Sequence, residues 1–142
     1  MPTAASIRSY LHKCPWPLLL VWSGVALLPV GRTVEIPVAV MAVYAGSFWY
    51  RGEIKPISGR YRSFTLVFFL FWVPMMLSVP DAFEPFEALR VTALYLRFFF
   101  AGLFIIWAID SPEKRDLLLK LTCYLLLFWT ADAVFQFFAG FN

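Results

Sequence analysis

The sequence has little of the chemistry on which metalloproteins and soluble enzymes depend. Its 142 residues include one histidine, His12, and two cysteines, Cys14 and Cys123, which form no C-x-x-C pair. Only 15% of the residues are charged, against about 25% in a typical soluble domain. Metal-ligand spacings, a hydrolase triad, a phosphate-binding glycine loop and paired carboxylates are all missing from the pattern. The residues themselves therefore predict no metal, no cofactor and no catalytic group.

Apolar side chains are abundant instead. Hydrophobic residues make up 61% of the chain and aromatic residues 20%, and the mean hydropathy is +0.74. A soluble domain of this length could not bury so much apolar surface. The net charge of +3 does not indicate a nucleic-acid partner, because the basic residues lie between apolar runs and not on one segment. We therefore expect an integral membrane protein that is surrounded by membrane lipid.

Five apolar runs approach the length of about 20 residues that a transmembrane helix needs. We predict an all-α fold, a polytopic transmembrane helical bundle that forms a single domain over residues 1–142. After a tail at 1–14, the predicted spans cover about 16–30, 36–50, 64–79, 89–109 and 117–138. Ala42 and Gly46 have the small-x-x-x-small spacing of closely packed helices. Pro74 is predicted to kink the third span.

The basic residues predict how the spans are oriented. Lysine and arginine are enriched in loops that stay in the cytoplasm. Nine of the twelve lie in three segments on one side of the predicted bundle, namely Arg8, Lys13, Arg51, Lys55, Arg60, Arg62, Lys114, Arg115 and Lys120. On the other side, the segment from Pro80 to Glu87 is acidic and has no base. We therefore predict about five spans, a cytoplasmic N-terminus and a C-terminus on the opposite side.

Three strongly polar residues lie several positions inside predicted spans, Arg97 in the fourth and Asp132 and Gln136 in the fifth. At a rise of 1.5 Å per residue, Arg97 and Asp132 should lie roughly 10 Å below the outer boundary. Charged side chains at such depth are costly and usually find partners. Arg97 and Asp132 are therefore expected to form an ion pair between the two helices. Alternatively, Arg97 and Arg90 bind an anionic headgroup or diphosphate, or Arg97 extends to the interface without a partner.

Five stretches of the sequence resemble the bacterial O-antigen ligase family, the membrane glycosyltransferases that include O-antigen polymerase relatives. These stretches are residues 28–32 (LPVGR), 35–37 (EIP), 71–82 (FWVPMMLSVPDA), 96–98 (LRF) and 131–142 (ADAVFQFFAGFN). The last is similar to the family's Asp-Ala-x-x-Gln-x-x-x-Gly segment. The order and spacing of the stretches match the N-terminal part of the family.

The resemblance implies a multi-pass protein of the bacterial inner membrane with a periplasmic C-terminus. It implies a metal-independent, inverting transferase that moves a glycan from undecaprenyl diphosphate to lipid A-core at the periplasmic face. The family's catalytic arginines and histidine lie further along its chain. Residues 1–142 are therefore expected to be an N-terminal scaffold, inactive alone and partnered by C-terminal spans of the same protein. The alternative is a small self-contained polytopic membrane protein, such as a transporter subunit or an assembly partner.

Overall fold

A computed structural model of the protein describes residues 16–57 and 59–140. The predicted tail at 1–14, with His12 and Cys14, lies outside the described residues. Within the described ranges all regular structure is helical, and no strand is present. The prediction of an all-α fold is confirmed for this part of the chain.

Five α-helices follow one another along residues 16–57 and 59–140. They are α1 (Trp16–Ala26), α2 (Glu35–Tyr50), α3 (Tyr61–Leu77), α4 (Pro85–Ala108) and α5 (Pro112–Ala139), with short 3-10 segments at Leu28–Val34 and Val79–Asp81. Among the described residues, four stretches are long and apolar enough to cross a membrane, namely Leu28–Tyr50, Tyr61–Asp81, Pro85–Ala108 and Pro112–Ala139. These are the features of an integral membrane protein.

The first predicted span differs most from the structure. Helix α1 has 11 residues, which at 1.5 Å per residue give a length of about 16 Å, roughly half the thickness of the hydrocarbon core. The chain then leaves helical geometry at Val30 and Gly31, where Gly31 has a φ of 67°. Glycine adopts this left-handed conformation without the steric penalty of a side chain. The apolar run at 16–30 is therefore interrupted. That this run crosses the membrane as one span stays a prediction.

Helices α4 and α5 begin earlier than hydropathy predicts. Pro85 opens α4 in the position where proline is favoured, and Glu87 lies in the first turn. The N-cap of α5 is Ser111, whose side chain accepts a hydrogen bond from the backbone N–H of Lys114 at 3.4 Å. Hydropathy locates only the apolar part of such a helix, whereas its polar first turn is fixed by capping.

The chain divides into two compact units, residues 35–108 and residues 1–34 with 109–142. In the first unit, α4 packs against both α2 and α3. Tyr44 of α2 contacts Phe104, and Phe48 contacts Trp107, with ring centroids 6.2 Å and 4.6 Å apart. Residue numbers therefore increase together along α2 and α4, so the two helices are parallel.

Helix α3 runs antiparallel to α4. The ring of Phe64, near the start of α3, stacks on Phe99 at 6.0 Å. Near the other end, the indole Nε1–H of Trp72 donates a hydrogen bond to the carbonyl of Thr92 at 3.0 Å. Pro74 lies inside α3, as the sequence predicts. The alternation of α2, α3 and α4 is the arrangement expected for consecutive membrane spans.

The close approach between helices occurs at a glycine that the sequence pattern did not indicate. A β-carbon on Gly102 of α4 would overlap the ring of Phe64, whereas one on Gly46 would meet nothing within 4 Å. The expectation that Gly46 marks a closely packed helix face is therefore wrong. The small residue that lets α3 approach α4 is Gly102.

In the second unit, α1 packs against α5. The buried residues of α1 are Pro17, Leu18 and Val21, whereas α5 buries none of its 28 residues. An apolar helix with this degree of exposure is suited to contact with lipid or with other membrane helices.

Candidate functional site

Arg97 lies near the middle of α4. It is 12 residues after Pro85 and 11 before Ala108, which corresponds to about 18 Å and about 17 Å along the helix axis. The sequence predicts a position closer to the outer end, because the predicted fourth span begins at 89 and α4 begins at Pro85. Its position at mid-helix makes Arg97 the most costly charge of α4 to keep in a membrane.

The partner of Arg97 is Glu35, the first residue of α2. Nη1 of Arg97 donates a hydrogen bond to Oε2 of Glu35 at 3.3 Å, and the side chains are 31% and 53% exposed. Because α2 and α4 are parallel, the start of α2 lies level with the middle of α4. The sequence does not indicate this pair, because Glu35 falls just outside the predicted second span and 62 positions separate the two residues.

The Arg97 guanidinium has N–H donors besides the one that is bonded to Glu35. Its Cζ lies 5.0 Å from the centroid of the Phe98 ring, a cation–π arrangement. Nε is buried and has no hydrogen-bond partner among the described residues. A guanidinium carries five N–H donors in a planar fork that suits phosphate and carboxylate oxygens. Because Nε is buried and the side chain as a whole is 31% exposed, an anionic group in addition to Glu35 would have to bind the terminal nitrogens.

Arg90 lies on the same side of α4, two turns before Arg97, which is about 10 Å along the axis. It forms an exposed ion pair with Glu87 at 3.4 Å. The described contacts do not join Arg90 to Arg97. The predicted two-arginine site is therefore a pair of cations at successive depths on one helix face, each with its own carboxylate.

Asp132 and Gln136 of α5 interact with each other. Nε2 of Gln136 donates a hydrogen bond to Oδ2 of Asp132 at 2.7 Å, and both residues are exposed. One turn of helix separates them, so the sequence spacing itself indicates this bond. Arg97 and Asp132 belong to different compact units, and their pairing stays a prediction.

Comparisons with protein-family models, with curated proteins and with solved structures find no match to this chain.

Proposed function

We propose that this chain is the membrane scaffold of an O-antigen ligase-like glycosyltransferase. In this proposal the transferase moves a glycan from undecaprenyl diphosphate to lipid A-core, and the scaffold binds the diphosphate. The observation that carries the proposal is the Arg97–Glu35 ion pair in the middle of α4. Both partners belong to stretches that resemble the family, residues 35–37 and 96–98.

The proposed role of Arg97 is to bind the carrier's diphosphate. Glu35 orients the guanidinium, whose terminal nitrogens carry further N–H donors for phosphate oxygens. Arg90, nearer the start of α4, would interact with the same anionic headgroup as it approaches. No residue of this chain is proposed to form or break the glycosidic bond. Its contribution is to bind and position the carrier.

The proposal includes an orientation in the bacterial inner membrane, with the N-terminus in the cytoplasm and the C-terminus in the periplasm. The parallel arrangement of α2 and α4 supports it, because the carboxyl ends of both helices lie at one end of their unit. The basic loop 51–60 follows α2, and the basic turn with Lys114 and Arg115 follows α4. The start of α4, with Arg90, then faces the periplasm.

Binding of undecaprenyl diphosphate to the purified chain tests the role of Arg97. Arg97→Lys retains the charge but removes the planar fork, so we expect affinity to fall by about tenfold. The matched control is Arg62→Lys, because Arg62 is exposed in the first turn of α3 and should leave binding unchanged. Native mass spectrometry in detergent measures both. Equal affinity of Arg97→Lys and the unsubstituted chain would exclude the proposed role.

A second candidate function follows from α5. All of its residues are outside the core, and it exposes the hydrogen-bonded pair Asp132 and Gln136. Polar side chains of this kind join helices within membranes. A self-contained membrane protein, such as a transporter subunit or an assembly partner, would use this helix to associate. This second function would be favoured by two results together. The Asp132→Leu variant would lose a stable oligomer that the unsubstituted chain forms, and the unsubstituted chain would not bind the carrier lipid.

A further inference from the structure

Two open pockets on the surface of the first unit are both lined by Trp49, near the end of α2. One has a volume of about 450 Å³ and is lined by Gly46, Trp49, Tyr50 and Phe100. The other has a volume of about 430 Å³ and lies against the loop that follows α2. Because Trp49 lines both, we describe them together as the Trp49 groove. Each cavity has the size of a small-molecule site and is too small for a partner helix.

The Trp49 groove changes in character along its length. Beside the helices its lining is mainly apolar and consists of three aromatic side chains and Gly46. In the loop its lining includes the side chain of Lys55, together with Gly52, Ile54, Pro56 and Ile57. Trp49 and Tyr50 end α2 with exposed rings, and aromatic side chains in such places are typical of the membrane–water interface. The Trp49 groove therefore combines a mainly apolar part beside α2 and α4 with a part that includes a lysine in the loop after α2.

The loop supplies a strong positive charge at that end. Between residues 51 and 62 four basic side chains accompany a single acid, Glu53. The basic residues Arg51, Lys55, Arg60 and Arg62 are all exposed, whereas Oε2 of Glu53 is buried. Clusters of this kind next to a membrane span attract anionic lipid headgroups.

The loop that forms this end is held by specific contacts. Ile54 is fully buried, and the backbone N–H groups of Glu53 and Ile54 both donate to the carbonyl of Phe48. The buried hydroxyl of Thr65 donates to the carbonyl of Pro56 at 2.8 Å. Lys55 thus sits on a loop that is ordered before any ligand arrives, which lowers the entropic cost of binding.

We propose that the Trp49 groove binds an anionic phospholipid. One acyl chain lies in the apolar part beside Gly46 and Phe100, and the phosphate lies beside Lys55. Gly46 is suited to this role because it has no side chain and the space beyond it is open. The site shares no residue with the Arg97 site, so this proposal can be tested independently of the proposed glycosyltransferase function.

Native mass spectrometry of the purified full chain in detergent tests the groove. The probes are phosphatidylglycerol and phosphatidylcholine with identical acyl chains, and soluble glycerol phosphate serves as a free headgroup. Phosphatidylglycerol should bind more tightly than phosphatidylcholine, and glycerol phosphate should not displace it. Equal binding of the two lipids, or displacement by glycerol phosphate, would overturn the proposal.

Two pairs of variants locate the binding. Lys55→Gln should weaken phosphatidylglycerol binding by about fivefold, whereas Arg62→Gln, which removes the same charge outside the groove, should weaken it less. Gly46→Leu fills the apolar part and should weaken both lipids, whereas Ala93→Leu at an exposed position of α4 should not. If Arg62→Gln matched Lys55→Gln, or Gly46→Leu had no effect, diffuse attraction to the surface would explain the binding instead.

A fluorescence measurement on an intact fold gives an independent answer. Phosphatidylglycerol with brominated acyl chains should quench tryptophan emission more than brominated phosphatidylcholine, and Trp49→Phe should remove this difference. A difference that persists in Trp49→Phe would place the lipid elsewhere and contradict the proposal, even if Gly46→Leu fails to fold.

Discussion

Gly102 and Gly46 show how one residue type has two roles in this protein. Gly102 allows α3 and α4 to meet, because the ring of Phe64 occupies the space that a β-carbon would need. Gly46 opens the Trp49 groove, because nothing occupies that space. The small-x-x-x-small pattern at Ala42 and Gly46 could not distinguish these roles, since spacing gives the helix face and not the size of the facing side chain. Nor could it indicate Gly102, whose partner Phe64 lies 38 positions earlier.

Substituting each glycine by alanine tests this distinction. Gly102→Ala should destabilise the fold by about 1–3 kcal/mol, because the added methyl overpacks the contact with Phe64. Gly46→Ala should be neutral or stabilising by up to about 1 kcal/mol, because alanine favours the helix. Reversible unfolding in mixed micelles measures both. Equal stability of the two variants would contradict the assigned contact, and rescue of Gly102→Ala by Phe64→Leu would support it.

The helices are the level at which the sequence is most informative. Four of the five predicted spans correspond to long helices, because runs of apolar residues long enough to cross lipid have few other structures available. The ends are less predictable, since Pro85 and Ser111 start helices ahead of the apolar residues. The register between helices could not be predicted. The sequence indicates that Arg97 is a costly charge, but the identity of its partner, Glu35, depends on how α2 and α4 align.

The Arg97–Glu35 pair should therefore fix the register of α2 against α4. Reversal of either charge alone, in Arg97→Glu or Glu35→Arg, leaves two like charges and should cost about 2–3 kcal/mol, the order of an uncompensated charge in a transmembrane helix. The double reversal should recover most of this loss. A double-mutant cycle of unfolding free energies measures the coupling, with Glu87→Arg and Arg90→Glu as an exposed control pair. Additive single effects at residues 35 and 97 would mean that the ion pair does not stabilise the fold.

At the scale of the whole molecule, orientation is the property on which the functional proposal depends. The alternation of α2, α3 and α4 places loop 51–60 and the segment before α4 at opposite ends of their unit. Positive charge is concentrated in the first of these and negative charge in the second. Side-chain packing would be much the same in either orientation, whereas the charged connectors distinguish the two sides of the membrane.

Labelling of single cysteines in spheroplasts tests this orientation, in a chain with Cys14 and Cys123 replaced by alanine. A cysteine at Glu84 should react with an impermeant maleimide from outside, and one at Lys55 only after the membrane is opened, because loop 51–60 is basic and the segment from Pro80 to Glu87 is acidic. Cysteines at Arg8 and Arg32 extend the test to α1. They should react from opposite sides if residues 16–30 cross the bilayer, and from the same side if the short helix enters and returns. Reaction of the Lys55 position from outside would reverse the orientation, and the Arg97 site could then no longer face a periplasmic substrate.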